Sequence, residues 1–299
     1  MRKHPVIYGL SLVLLIGAGL LFLLYGLSAW IGDIDNFANR DKIGIITIKG
    51  VISGSQDIVD KLEEFGKDHS IKAVVLRIDS PGGGVAASQE IYAAIKNLKK
   101  HKKVVASLAS IAASGGYMIA CAADKIVANP GTITGSISAI MYFANAEELL
   151  KKIGLKSSVI KSGKHKDMGS PTREMTEEEK GILQGLIDDI YDQFLDVIVQ
   201  DRKINKEDLK KIADGRVFSG RQAQSLNLID ALGDRSYAVR LAGNLSGIKG
   251  TPELVYPKKQ EISFWDYILQ STARFLTGAI KDKFATIPEG VNFLYEYGF

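Results

Sequence analysis

Ser114 lies in the run Ile111-Ala112-Ala113-Ser114-Gly115-Gly116-Tyr117, where its neighbours are too small to shield a hydroxyl. A serine so placed, followed by two glycines and an apolar stretch, suits a nucleophile exposed at the start of a helix. Its plainer role would be a helix N-cap. Lys166, in Gly163-Lys164-His165-Lys166-Asp167, is a candidate base for it. A free lysine, with a pKa near about 10.4, is a poor base at neutral pH, and only burial away from water improves it. Lys166 therefore needs a closed, partly apolar setting; otherwise it is one more surface lysine. A third feature is Asp79-Ser80-Pro81-Gly82-Gly83-Gly84. Its glycines allow close backbone approach and leave amide N–H groups for an anion. Gly83, or its neighbour Gly82, together with Gly115 at a helix N-terminus, could form an oxyanion hole; a plain turn has the same composition. The usual base is scarce. Of four histidines, His4, His69, His101 and His165, only His165 is near the candidate site. A Ser114–His165–Asp167 triad is a formal rival, but residues along an extended loop alternate in direction, so Asp167 is poorly placed to orient His165.

Charge narrows the partners. The chain has 299 residues, with 38 Lys and Arg against 34 Asp and Glu. This near balance argues against nucleic acid as the main partner. The one cysteine, Cys121, sits in the apolar run Tyr117 to Ala123 and reads as a small buried hydrophobe. No intrachain disulfide is available, and neither a metal nor a cofactor is expected. Residues 6–30 are uncharged and apolar. As a helix they would span about 37 Å, against roughly 30 Å of bilayer hydrocarbon. Arg2 and Lys3 precede the run, and Asp33 and Asp35 follow it. The positive-inside rule then places the N-terminus in the cytoplasm and the rest outside, with Tyr25 and Trp30 at the outer interface. The expected organisation is a cytoplasmic N-terminus and anchor (1–32), an exported catalytic domain (33–258) and an amphipathic or interaction tail (259–299). A single-pass protein of a bacterial inner membrane fits this pattern.

The elements that must position these residues alternate. Strands are expected at 43–48, 72–78, 103–108 and 125–128. Helices are expected at 56–67, with Ile58, Leu62 and Phe65 on one face, at 85–99, and after Ser114. A helix near 145–153 and a strand near 157–161 lead to the Lys166 loop. Thr176 and Glu179 form a capping-box signature opening a long helix to about residue 202, with the apolar stripe Leu183, Leu186, Ile190, Phe194 and Val197. Smaller helices follow near 206–213 and 233–245. Such alternation argues for a parallel α/β sheet, with ligands bound at the C-terminal strand ends.

Read in order, the motifs Asp79-Ser80-Pro81-Gly82-Gly83, Ala113-Ser114-Gly115-Gly116-Tyr117, Thr134-Gly135-Ser136-Ile137, Ser162-Gly163-Lys164-His165-Lys166-Asp167 and Asp214-Gly215-Arg216-Val217-Phe218-Ser219-Gly220-Arg221 resemble the signal peptide peptidase A family. The similarity covers about residues 43–245. It implies a Clp protease/crotonase-like parallel sheet with flanking helices, preceded by one N-terminal transmembrane helix. It implies Ser114 as nucleophile, Lys166 as general base, Ser136 as the residue orienting the lysine, and Gly83 and Gly115 as oxyanion donors. It further implies an ATP-independent serine endopeptidase acting on cleaved signal peptides and short unfolded segments, and a homo-oligomeric ring in which adjacent copies share each site. A crotonase-like acyl-CoA enzyme and a non-catalytic membrane scaffold are the alternatives.

Overall fold

The computed structural model describes residues 13–26 and 41–257, and the backbone of residues 294–295. Helix α1 covers 13–26, with its apolar side chains exposed. At ~1.5 Å per residue it is about 21 Å long, short of the roughly 30 Å hydrocarbon layer. Among the described residues no helix is long and apolar enough to cross a membrane. The span expected over 6–30 is thus described only in part; its flanks, including Trp30, lie outside the described residues, as does nearly all of the tail expected over 259–299.

The centre is a twisted sheet. Strands β1 (Lys42–Lys49), β2 (Ile71–Ser80) and β4 (Lys103–Ala113) pair in parallel, with short β9 (Glu253–Val255) beyond β1. β4 is long enough to take two neighbours on its other edge. Its residues Val105–Leu108 pair with β5 (Lys125–Ala128), and Ile111–Ala113 pair with β6 (Ile133–Gly135). β8 (Ala231–Leu232) extends β5, and β7 (Val217–Ser219) closes against β6 as the antiparallel member of this sheet. β1, β2 and β4 are near-continuous aliphatic runs because helices cover both faces. On one face lie α2 (Gln56–Lys67), α3 (Val85–Leu98), α4 (Gly115–Cys121) and the C-terminal half of α6 (Glu177–Arg202), around Leu62, Phe65, Ile91, Ile95, Tyr117 and Phe194. On the other, α9 (Arg235–Ser246) packs Ala238 and Ala242 against Ile43, Ile45, Val75 and Val105. Short helices α5 (Glu147–Lys152), α7 (Lys206–Lys210) and α8 (Gly220–Ser225) fill the connections.

Two features bear on the site. α6 has 26 residues and begins with the expected capping box: the Thr176 hydroxyl accepts from Glu179 N–H, and the Glu179 carboxylate accepts from Thr176 N–H. Its buried apolar residues, Ile190, Phe194, Leu195 and Ile198, all lie in its C-terminal half; the N-terminal half exposes Ile182 and Leu186. The strand expected at 157–161 does not form. Residues 151–164 are all exposed, Val159 and Ile160 among them. β-branched side chains favour a strand only where a sheet edge is there to receive them, and among the described residues none meets this segment.

Candidate active site

The site is built where β2, β4 and β6 end. After Leu108 the register of β4 slips against β2: Ile78 faces Leu108, but Ser80 faces Ala112. The Asp79 carboxylate spans the resulting bulge, its Oδ1 accepting from Ser110 N–H (3.2 Å) and Ile111 N–H (3.3 Å). The bulge carries Ala113 forward to pair with Gly135, so Ser114 and Ser136 leave adjacent strands at one level. Ser114 N–H then donates to Gly135 O at 2.8 Å. Both serines take positive φ, 55° at Ser114 and 51° at Ser136. At Ser114, where ψ is −122°, this is outside the left-handed helical region as well, a conformation that persists only when the surroundings over-determine it.

Ser114 is the N-cap of α4 by position, yet its side chain caps nothing. Its Oγ is buried and has no hydrogen-bond partner. A buried hydroxyl without a partner costs roughly 1–3 kcal/mol, so the N-cap role is not what holds this serine here. Gly115 opens α4, and its N–H is among those a helix leaves without an intrahelical acceptor. Gly116 permits the approach of α4 to β2: a Cβ there would lie 2.9 Å from Ser80 O.

The three glycines of the first motif are differentiated by their hydrogen bonds. Gly82 N–H donates to Ser80 Oγ at 3.1 Å. Gly84 N–H donates to Ile52 O, and Ile52 N–H donates to Gly82 O, both at 2.8 Å. Backbone groups alternate sides along a strand, so the N–H and C=O of Gly83 face the opposite edge. That edge is taken by the tail: β10 (Leu294–Tyr295) pairs antiparallel with β3 (Gly83–Gly84), Tyr295 opposite Gly83.

Lys166 makes no hydrogen bond to Ser114, whose Oγ is without a partner among the described residues. The Lys166 side chain is exposed and makes no hydrogen bond or ion pair with the described residues. The loop carrying it is nevertheless well ordered by charge. The Asp167 carboxylate accepts from Arg173 and Lys161, which hold it well below the usual carboxylate range. Arg173 bonds the buried Glu179 as well; with the Thr176 amide it holds that carboxyl down at about 2. His165 Nε2 faces Glu178 at 3.5 Å, not Asp167. The rival triad therefore lacks its orienting carboxylate. Among the described residues no group of His, Cys, Asp or Glu could hold a metal ion. Cys121 is buried, and burial pushes its thiol up to about 12. Asp79 was legible as part of a motif, though not its hold on the bulge; Arg173 carried no signal in the sequence.

A parallel-rich sheet that delivers a strained serine to a strand-to-helix turn defines an α/β protein with the geometry of a serine nucleophile. The profile of the Clp protease family matches residues 34–133, and that of peptidase family S49 matches residues 96–249. The chain belongs to peptidase family S49, a family of serine peptidases. It is 46% identical over 212 residues to a protein of Synechocystis sp. named as a candidate protease, covering 71% of this chain and 76% of that one. It is 34% identical over 210 residues to an Enterococcus faecium protein named as a candidate signal peptide peptidase SppA, covering 66% and 61%. It is also 34% identical over 223 residues to the chloroplastic serine protease SPPA of Arabidopsis thaliana, covering 70% of this chain and 33% of that one. The chain thus spans under two thirds of the Enterococcus relative and about a third of the Arabidopsis one. The resemblance read from the motifs holds at the level of the family.

Proposed function

We propose that the chain is a membrane-anchored serine endopeptidase that cleaves signal peptides and other short unfolded segments through Ser114 and Lys166. The observation that carries this reading is Ser114 itself: a nucleophile-type side chain on a strained turn, buried without a partner, with the Gly115 N–H beside it. In the proposed reaction the Lys166 amine takes the Ser114 proton as Oγ attacks the peptide carbonyl. The carbonyl oxygen becomes an oxyanion received by the N–H groups of Gly83 and Gly115, each typically worth about 3–4 kcal/mol. Collapse breaks the C–N bond, and the lysine ammonium returns the proton to the leaving amine. Lys166 then deprotonates water to hydrolyse the acyl-enzyme. Ser136, one strand away, orients the amine. An extended substrate would add along the Gly83 edge, the edge that already accepts a strand.

We further propose that copies of the chain share their sites in a ring. Support comes from the exposed Lys166, from the exposed run 151–164 with Leu155, Val159 and Ile160, and from the half of α6 that stands clear of its own core. The apolar run 6–30 supports a single-pass anchor with the catalytic part outside a bacterial inner membrane. The test uses the full chain in detergent. Ser114→Ala and Lys166→Ala should each abolish cleavage of an unfolded peptide, and mixing them should restore part of it. An active Lys166→Ala sinks the dyad; no recovery in oligomers proven to be mixed places the site within one chain.

A further inference from the structure

Resting on the reading of Lys166 as the base, we infer that Arg173 is its positioning residue. Residues 161–171 contain neither helix nor strand. Three turns give the loop its local shape: Lys166 N–H to Gly163 O, Met168 N–H to His165 O and Ser170 N–H to Asp167 O, at 3.0–3.2 Å. Turns alone do not fix a loop in space. Arg173 does so with every donor it has. Its Nε and Nη2 grip the Asp167 carboxylate as a fork, at 3.0 and 2.9 Å, and Nη2 also reaches Asp167 O at 3.3 Å. Its Nη1 and Nη2 grip the Glu179 carboxylate at 2.9 and 2.5 Å, and Nη1 donates to Glu174 O at 3.0 Å.

The two carboxylates are not equivalent. Asp167 is the peptide neighbour of Lys166. Glu179 is 3% exposed, lies in the first turn of α6 and is bound into its capping box. A continuous path of charge-assisted bonds therefore runs from the residue beside Lys166, through one guanidinium, into a helix whose far end is buried in the core. The Lys166 backbone is held rigid while its amine stays clear of every group in the path. Arg173 touches no reacting atom, so its effect is through position. Lysine cannot substitute for it, because one ammonium has no planar fork with which to hold two carboxylates.

The experiment compares Arg173→Lys, Arg173→Ala and Glu179→Gln with Lys166→Ala in the full chain in detergent, reading kcat, KM, melting temperature and the pH profile of peptide cleavage. A misplacement of about 1 Å costs on the order of 100-fold in rate. Arg173→Lys and Arg173→Ala are expected to lose about that much kcat with KM little changed. The rising limb of the pH profile should move to higher pH as the amine slips out of the closed site that neighbouring copies are proposed to form around it. Arg173→Lys should still melt close to the parent, and Glu179→Gln, which keeps the cap but weakens one grip, should fall between. Wild-type kcat and an unmoved limb in Arg173→Lys, beside an inactive Lys166→Ala, overturn the inference alone. An active Lys166→Ala overturns the reading beneath it. If Arg173→Ala does not fold, Arg173→Lys and Glu179→Gln decide.

Discussion

Replacing Ser114 by glycine and by alanine separates the backbone's contribution from the hydroxyl's. Ser114 holds φ 55° and ψ −122°, where a Cβ crowds the adjoining peptide groups. Strain of this kind is typically about 1–3 kcal/mol. Both variants delete Oγ, so the burial of an unpaired hydroxyl, and any bond it makes to another copy, cancels between them. Glycine gives back roughly 0.5–1 kcal/mol through the extra freedom of its unfolded chain. Taken at the midpoints of these ranges, Ser114→Gly is more stable than Ser114→Ala by about 1 kcal/mol. In a domain of this size each kcal/mol moves the melting temperature by about 2–4 °C, so the gap should be roughly 2–4 °C. Thermal melts of the full-length variants at matched protein concentration measure it. Both should be inactive and unlabelled by a serine-directed fluorophosphonate. A glycine variant that melts at or below the alanine variant refutes the claim that strain is stored at the nucleophile.

Gly83→Ala places a Cβ 2.3 Å from Ile52 O and 2.5 Å from Ile52 N, whereas Gly84→Ala meets Ile52 O at an ordinary 3.5 Å. The first should lose on the order of 100-fold in kcat and the second should stay near wild type; equal kcat in a peptide assay would remove Gly83 from the site. Asp79→Ala frees two N–H groups of the β4 bulge and should cost about 1–3 kcal/mol by denaturant titration, with slower fluorophosphonate labelling of Ser114. Asp79→Asn, which keeps an acceptor, should lose less. Asp167 and Glu179 are held below their unfolded values, so their contribution is complete above about pH 5 and drains away as pH falls toward about 2 and below. Limited proteolysis across that window, using an acid-active protease, should show the 161–173 loop opening before the core; a loop equally protected throughout would contradict the Arg173 clamp.

The long elements were legible because they repeat one signal. Val74, Val75 and Leu76, or Val104 and Val105, announce buried strands, and Ile91, Ile95 and Leu98 announce a helix face. Three-residue strands such as β6 and β7 are too short to show a period, and they form because β4 overruns its expected end at Leu108. That overrun depends on the bulge held by Asp79, a contact 31 residues apart in sequence. The strand expected at 157–161 failed for the converse reason: its residues suit a sheet, but no edge among the described residues meets them. Ser114, Gly83 and Gly115 stood out in the sequence as small residues clustered around a nucleophile-type side chain, a composition that turns and helix N-caps share. Arg173 did not, since an arginine among charged neighbours looks the same whether it holds a loop or faces water.

The tail strand also sets a threshold. Leu294 and Tyr295 occupy the edge that presents the Gly83 N–H and C=O, and they belong to the same molecule. A tethered segment of this kind acts as a competitor whose local concentration can reach the millimolar range whatever the protein concentration. A peptide entering along that edge must therefore displace it, and its apparent affinity falls by the fraction of time the edge stands open. Dilution does not relieve this competition, because both partners travel together. If substrates add along this edge as proposed, weakly held segments would be turned away by the same two residues that a longer, better-fitting chain could push aside.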